Sequence, residues 1–332
     1  MTTTATIGRR GFLGTLGAAL FTAARARARG GDIPRPARTT TRVFYLPAYV
    51  GAAMSFETTR KARWIADSLG PSPIAGLALA PHASLTEVDL VKVHDPAYVT
   101  AVRTGEPRAL AESQGFTWDP ALWTMVLASN GGVLAAVDAA LADGVSGALA
   151  SGLHHARRDI GAGFCTFNGL ALAVRHAQAA GARRVLVLDL DAHCGGGTFS
   201  LVGALPDVLH VDVSVSFYDR YTPTGDHTLD LLTRPDDYLP TVRRRLDALA
   251  DRPFDLCLYN AGMDPFEGCA IGGLTGITRA HLAEREALVF DWCRRRRLPI
   301  AFVLAGGYLG PTLDAAGLVA LHRLTLEAAA RT

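Results

Sequence analysis

Several common routes to function are closed by what this chain lacks. Its five cysteines stand apart at 165, 194, 257, 269 and 293 with no Cys-x-x-Cys pair, which argues against a disulfide framework and leaves them as reduced or buried thiols. Neither sign of charge dominates. The 33 Lys and Arg face 31 Asp and Glu, a net charge of +2, so nothing in the balance favours a nucleic-acid groove. No uninterrupted apolar run approaches the roughly 20 residues that span a bilayer, so a soluble mature protein without a membrane partner is expected. Beyond the first thirty residues there is neither an internal repeat nor a low-complexity tract. What remains is a globular composition, 49% hydrophobic and 19% charged over 332 residues, ample for one large core.

The first thirty residues read as an address rather than as fold. Arg9-Arg10-Gly11-Phe12-Leu13 precedes a mild Gly/Ala-rich apolar segment, Leu16 to Ala24, and Ala26-Arg27-Ala28 offers a small-x-small cleavage site. Together they resemble a twin-arginine export signal of bacteria. Residues 1–28 are therefore expected to be the signal, 29–41 with Pro34 and Pro36 a linker, and 42–332 the folded domain. Export would place the mature protein in the periplasm or outside the cell; a cytoplasmic location is the alternative if the start is misplaced.

From Val43 onward short apolar runs alternate with helical stretches. Strands are expected at 43–46, 147–151, 185–190, 208–213, 254–259 and 300–304. Helices are expected at 58–69, 167–180, 237–249 and 278–296, together with a long Ala-rich helix opened by Asp119-Pro120 and bent or interrupted at Asn130-Gly131-Gly132. Repeated alternation of this kind argues for an α/β fold with a mostly parallel sheet covered by helices on both faces. The Arg294 to Arg297 run is read as a solvated helix end.

The stretch from Val185 to His193 organises the rest. Asp189, Asp191 and His193 share one parity at the end of a buried strand, so a carboxylate and an imidazole two residues apart can converge on one ion. An Asp-x-His pair alone is weak evidence, but in open parallel sheets ligands bind beyond the carboxyl ends of the strands, and three further strands end in polar groups. His154-His155 follows 147–151, Ala261-Gly262-Met263-Asp264 follows 254–259, and Gly306-Gly307-Tyr308 follows 300–304. Two carboxylates and an imidazole can hold a metal with open positions, paired histidines can serve as base and acid, and a tyrosine hydroxyl can donate to an oxyanion. That set suits metal-assisted hydrolysis of an amide.

These motifs resemble the histone deacetylase family, which shares its fold with the arginases. Ser151-Gly152-Leu153-His154-His155-Ala156 with Gly163-Phe164-Cys165 is similar to the paired-histidine segment, Asp189-Leu190-Asp191-Ala192-His193 to the metal motif, Tyr259-Asn260-Ala261-Gly262-Met263-Asp264 to the third-ligand loop, and Ala305-Gly306-Gly307-Tyr308 to the tyrosine loop. The wording Tyr-Asn-Ala-Gly, with Phe56-Glu57 and Lys61, looks closest to the class IV branch. The resemblance implies an arginase/deacetylase fold of about eight mostly parallel strands over a catalytic domain at 42–332. It implies Asp191, His193 and Asp264 as metal ligands, His155 as base and then acid, His154 beside it oriented by Asp189, and Tyr308 polarising the scissile carbonyl. Phe164, Tyr221 and Ile271 would line an acyl tunnel, and an inner monovalent cation, K+, would sit on Asp189 and Ser216 with carbonyls from Asp191, His193 and Phe217.

Zinc is the default metal, although Fe(II) or Mn(II) suits the same ligands. The expected activity is hydrolysis of an acyl-lysine, an acylpolyamine or a related N-acyl amine, with an acyl-binding protein of little or no activity as the alternative. One departure supports that alternative. Gly196 stands where the family has the Asp or Asn that holds the second histidine, so His155 is expected to lack its partner and to titrate near the free value of about 6.5. Cys194, beside the His193 ligand, is read as filling space rather than binding metal.

Overall fold

The protein is described from a computed structural model, which covers Met1, residues 40–52 and residues 56–331. Apart from Met1, the expected export signal lies outside the described residues. The elements run β1 Thr41–Phe44, α1 Lys61–Ser68, β2 Leu77–Ala80, α2 Glu87–Leu90, α3 Pro96–Thr104, α4 Arg108–Ala111, α5 Ala121–Asp143, β3 Val145–Ala148, α6 Gly169–Ala179, β4 Val185–Asp189, α7 Gly196–Val202, β5 Val208–Ser214, β6 Thr228–Leu231, α8 Tyr238–Ala248, β7 Leu256–Asn260, α9 Arg279–Arg295, β8 Ile300–Val303 and α10 Ala315–Ala330.

All eight strands join one parallel sheet in the order β2-β1-β3-β8-β7-β4-β5-β6. Every residue of β3, β4, β5, β7 and β8 is buried, which a parallel sheet requires when helices cover both faces. On β4, Val185, Leu186, Val187 and Leu188 are at most 1% exposed, each contributing roughly 1.5–3 kcal/mol of apolar burial. Helices α5 and α6 pack on one another and on the central strands, while α1, α10, α9 and α8 form a second linked set. The expected sheet is thus present. Its two outermost strands, β2 and β6, were not anticipated because four half-buried residues carry too little pattern to separate them from loop.

Helix α5 departs from expectation twice. It runs unbroken for 23 residues through Asn130-Gly131-Gly132. The glycines are there for contact rather than bending: a Cβ on Gly131 would lie 3.0 Å from Ser84 Cα, and one on Gly132 would collide with the Tyr49 hydroxyl. The helix also reaches a mean hydropathy of 1.6 over 18 residues, so a stretch apolar and long enough to cross a membrane does exist. Most of it, 61%, is buried against the sheet and neighbouring helices, as a central core helix demands.

Local capping follows the sequence. The Asp119 carboxylate accepts from the Ala121 amide ahead of α5, Asn168 accepts from Ala171 at the start of α6, and Asp314 accepts from Gly317 at the start of α10. Helix α6 is thereby tied to the segment carrying the paired histidines, since Asn168 Nδ2 also donates to the carbonyls of His154 and Ala156.

Candidate metal centre and pocket

Four adjacent strands at the middle of the sheet, β3, β8, β7 and β4, deliver the polar residues to one end. Beyond β4 the chain stays tight through backbone-to-carboxylate bonds: the Asp191 amide donates to Asp189 Oδ1 at 3.2 Å and the His193 amide to Asp191 Oδ1 at 3.0 Å. The neighbouring exits close on the same carboxylates, with Ala192 N donating to Asp264 Oδ1 at 3.0 Å and Gly306 N to Asp191 Oδ2 at 2.7 Å. Fully buried Arg285 of α9 joins the two exits from below, donating to the carbonyls of Leu190 at 3.1 Å and Gly262 at 2.7 Å. Sequence reading missed Arg285, because a lone Arg in a charged helix carries no burial signal.

One ligand atom each from Asp191, His193 and Asp264 lies within 4.8 Å of the others, and all three side chains are buried. Asp264 Oδ2, 3.1 Å from His193 Nδ1, makes no aligned hydrogen bond. Glycines bring the backbone close: a Cβ on Gly262 would lie 2.7 Å from Asp264 Oδ1, and one on Gly306 would lie 2.6 Å from Asp191 Oδ2. Burial alone would lower the His193 pKa, yet the adjacent Asp191 and Asp264 carboxylates raise it to about 10. Burial and then the Asp191 charge push Asp264 up to about 6. An orphaned buried carboxylate oxygen beside a second carboxylate and an imidazole fits a divalent cation.

The paired histidines extend from this triangle. His154 Nδ1 donates to Asp189 Oδ2 at 2.8 Å, and Asp189 Oδ1 accepts from Asn260 Nδ2 at 2.8 Å. Burial would lower the His154 pKa, but Asp189 and Asp191 raise it to about 10. His154 Nε2 faces His155 Nε2 at 3.1 Å. His155 does not lack a partner: its Nδ1 lies 3.0 Å from Asp219 Oδ2, a carboxylate from the loop between β5 and β6. Nor does its pKa sit near the free value. Burial, then the neighbouring His154 charge, lowers it to about 4 despite Asp219. Gly196 is packed against Asp219, which explains the glycine; no local signal ties it to a carboxylate 23 positions on.

A pocket of about 620 Å³ opens over His155, His193 and Tyr308. Of the three residues expected to line it, Phe164 and Ile271 do. Phe164 packs tilted against Phe56 at 4.0 Å between ring centroids and holds φ at +64°, an unusual conformation for a bulky residue. Tyr221 is elsewhere, stacked 4.4 Å from Phe199 with its hydroxyl 3.3 Å from His210 Nδ1. Tyr218 takes the wall instead, packed edge-to-face with His155 at 4.8 Å between ring centroids. A three-residue slip in a loop without periodicity is invisible to pattern reading.

Of the residues expected around a monovalent cation, Asp189 is fully buried and Ser216 lines the pocket. Asp212, paired in register with Asp189 across β4 and β5, and His210 also stand beside Asp189, one ligand atom of each within 4.8 Å of the others. Cys194 is buried and donates to the Ser216 carbonyl at 3.3 Å, with burial raising its thiol to about 12.

The chain belongs to the histone deacetylase family: the histone deacetylase domain matches residues 56–323, most of its length. That makes it a hydrolase of the deacetylase class. It is 35% identical over 246 residues to an uncharacterized protein of Picosynechococcus, covering 71% of this chain and 80% of that one. It is 27% identical over 247 residues to histone deacetylase 2 of Arabidopsis thaliana, covering 68% of this chain and 62% of the plant protein, so the match leaves over a third of that relative unspanned. Among solved structures, acetylpolyamine aminohydrolase from Burkholderia pseudomallei shares the fold at a TM-score of 0.69 and 21% identity, with 87% of this chain and 98% of that one covered.

Proposed function

We propose that this protein hydrolyses an N-acyl amide with a divalent metal, zinc in the first instance and Fe(II) or Mn(II) by the same ligands, releasing a carboxylic acid and an amine. The observation that carries this reading is the buried triangle of Asp191, His193 and Asp264 opening through His193 into a pocket shared with His155 and Tyr308. A divalent cation held there would supply Lewis acidity, acidifying water and polarising the amide oxygen. His155, with its Nδ1 directed at Asp219, offers Nε2 as the base that takes the proton of water and returns it to the leaving amine. His154, held cationic by Asp189, offsets negative charge as it builds. The Tyr308 hydroxyl donates to the amide oxygen at the same moment.

The pocket walls support a narrower substrate class. Among the described residues, none of the side chains lining it is Asp or Glu, and Phe164, Tyr218 and Ile271 make much of it apolar. A polyammonium chain would meet no counter-charge there, so acyl-lysine or an uncharged N-acyl amine ranks ahead of acylpolyamine. The acyl-binding alternative rested on an unpartnered His155, and Asp219 removes that support.

The test is turnover on a panel of acyl-lysine, acylpolyamine and small N-acyl amines of graded acyl length, with metal content measured alongside. Asp264→Asn is expected to lose both bound metal and hydrolysis; full hydrolysis by a chelated, metal-free sample would refute the reading. We further propose export through the twin-arginine route, supported by Arg9-Arg10 and the following apolar segment. A mature N-terminus near Arg29, and cytoplasmic retention of the Arg9→Lys, Arg10→Lys variant, are expected; native protein found in the cytosol with its first residues intact would refute it.

A further inference from the structure

We propose that Asp219, clamped by Arg157, is the positioning residue that fixes the tautomer of His155. The proposal rests on the hydrolytic reading above. Asp219 Oδ2 accepts from two donors, His155 Nδ1 at 3.0 Å and the Gly197 amide at 2.9 Å. Its Oδ1 accepts from Arg157 Nη2, whose Nη1 donates to the Gly196 carbonyl at 3.1 Å. A carboxylate only accepts, so the imidazole proton is held on Nδ1 and the lone pair is left on Nε2, toward His154 and the pocket.

Two further features set this carboxylate apart from a chance surface neighbour. Its side chain is 6% exposed, and its backbone stands at φ +58°, a conformation disfavoured for most residues and tolerated by Asp and Asn. The space at position 196 is also surrendered to it, since a Cβ on Gly196 would lie 2.6 Å from Asp219 Oδ1. Glycine at 196 and aspartate at 219 are thus one arrangement. The carboxylate comes from the loop after β5 instead of from the turn beside the ligands, and Arg157 occupies its second oxygen.

The clamp makes a distinctive prediction about amides. In Asp219→Asn the backbone conformation is kept. With the amide oxygen on the His155 side, the NH2 group faces the Arg157 guanidinium, donor against donor. With the oxygen toward Arg157, a charge-assisted bond favours the pose, but NH2 then faces both the Gly197 amide and His155, which must accept at Nδ1 and carry its proton on Nε2, donating to a His154 that has released its own Nε2 proton. That blocks the base. Removing the guanidinium in Asp219→Asn/Arg157→Met lets the oxygen return to the two donors.

The experiment compares the full-length protein, Asp219→Asn, and Asp219→Asn/Arg157→Met by imidazole 15N NMR, kcat and KM. Expected are an Nδ1–H tautomer at His155 in the wild type, an Nε2–H tautomer with kcat lowered about 100-fold or more and little change in KM in the single variant, and recovery of both tautomer and at least about tenfold in kcat in the double variant. A purely structural Asp219 would instead lose more stability in the double variant and recover nothing. Unchanged tautomer and kcat in Asp219→Asn overturns the proposal. If the single variant does not fold, Asp219→Asn/Arg157→Met is compared with Asp219→Gly/Arg157→Met, glycine also accepting the left-handed backbone; equal tautomers in the two overturn it. A wild type silent on every substrate would refute the hydrolytic reading, while the NMR arm decides the role of Asp219 separately.

Discussion

Adding one methyl group at position 196 tests the packing that the site depends on. In Gly196→Ala the new Cβ would stand 2.6 Å from Asp219 Oδ1 and closer still to the Asp219 carbonyl oxygen. Ordinary contact needs about 3.5 Å, so the Asp219 loop must move by about 1 Å. Part of the obstruction is backbone, which cannot swing aside as a side chain can. Overpacking of this kind costs about 1–3 kcal/mol, which for a domain of this size lowers Tm by roughly 2–10 °C. Displacing the carboxylate that holds His155 by about 1 Å is expected to reduce kcat about 100-fold. Gly196→Asp, which by sequence alone should restore a missing partner, is expected to be worse than alanine. It sets a second carboxylate against Asp219, a repulsion on the order of 4 kcal/mol at 4 Å before proton uptake relieves it. The repulsion raises the carboxyl pKa in the folded state, so the variant's extra destabilisation is absent at low pH and grows as pH rises above about 4. Thermal melts at pH 4 and 7 with kcat/KM for both variants form the assay. Wild-type Tm and turnover in Gly196→Ala would refute the packing argument, and a gain of activity in Gly196→Asp would refute the assignment of Asp219.

Three further outcomes are expected. Tyr308→Phe keeps the pocket wall but removes the hydroxyl, so kcat should fall roughly 100- to 1000-fold with KM nearly unchanged; an unaltered kcat assigns the oxyanion to another donor. His94, buried with Nδ1 donating to the Arg157 carbonyl at 2.8 Å and Nε2 accepting from the Asn168 amide at 2.9 Å, has its pKa lowered by burial to about 4. The unfolded chain therefore takes up a proton near pH 6.5 that the folded one refuses, so stability is full above pH 6.5 and falls by up to about 3 kcal/mol toward pH 4; denaturant titrations of His94→Gln should show that slope reduced, and an identical slope rejects the account. Ile271→Asp would place a carboxylate at the pocket mouth and should shift preference toward acetylpolyamine over acetyl-lysine, read as the ratio of kcat/KM values, with no shift counting against the electrostatic account of the pocket.

The alternation of apolar runs and helical stretches from Val43 onward was enough to establish a parallel α/β sheet, because strands buried on both faces must be apolar at nearly every position. The position of Asp191, His193, Asp264, His154, His155 and Tyr308 just past four strands was equally legible, since a parallel sheet sends all its strand ends to one side. Tertiary structure decided what depends on contacts between distant loops. It put Tyr218 rather than Tyr221 against His155, set Asp212 beside Asp189, threaded α5 straight through two glycines, and gave His155 its partner in Asp219. Periodicity encodes which face of an element is buried, and motif spacing encodes neighbours along the chain. The approach of one irregular loop to another is set by how the whole sheet and its helices pack, and no local run of residues records it.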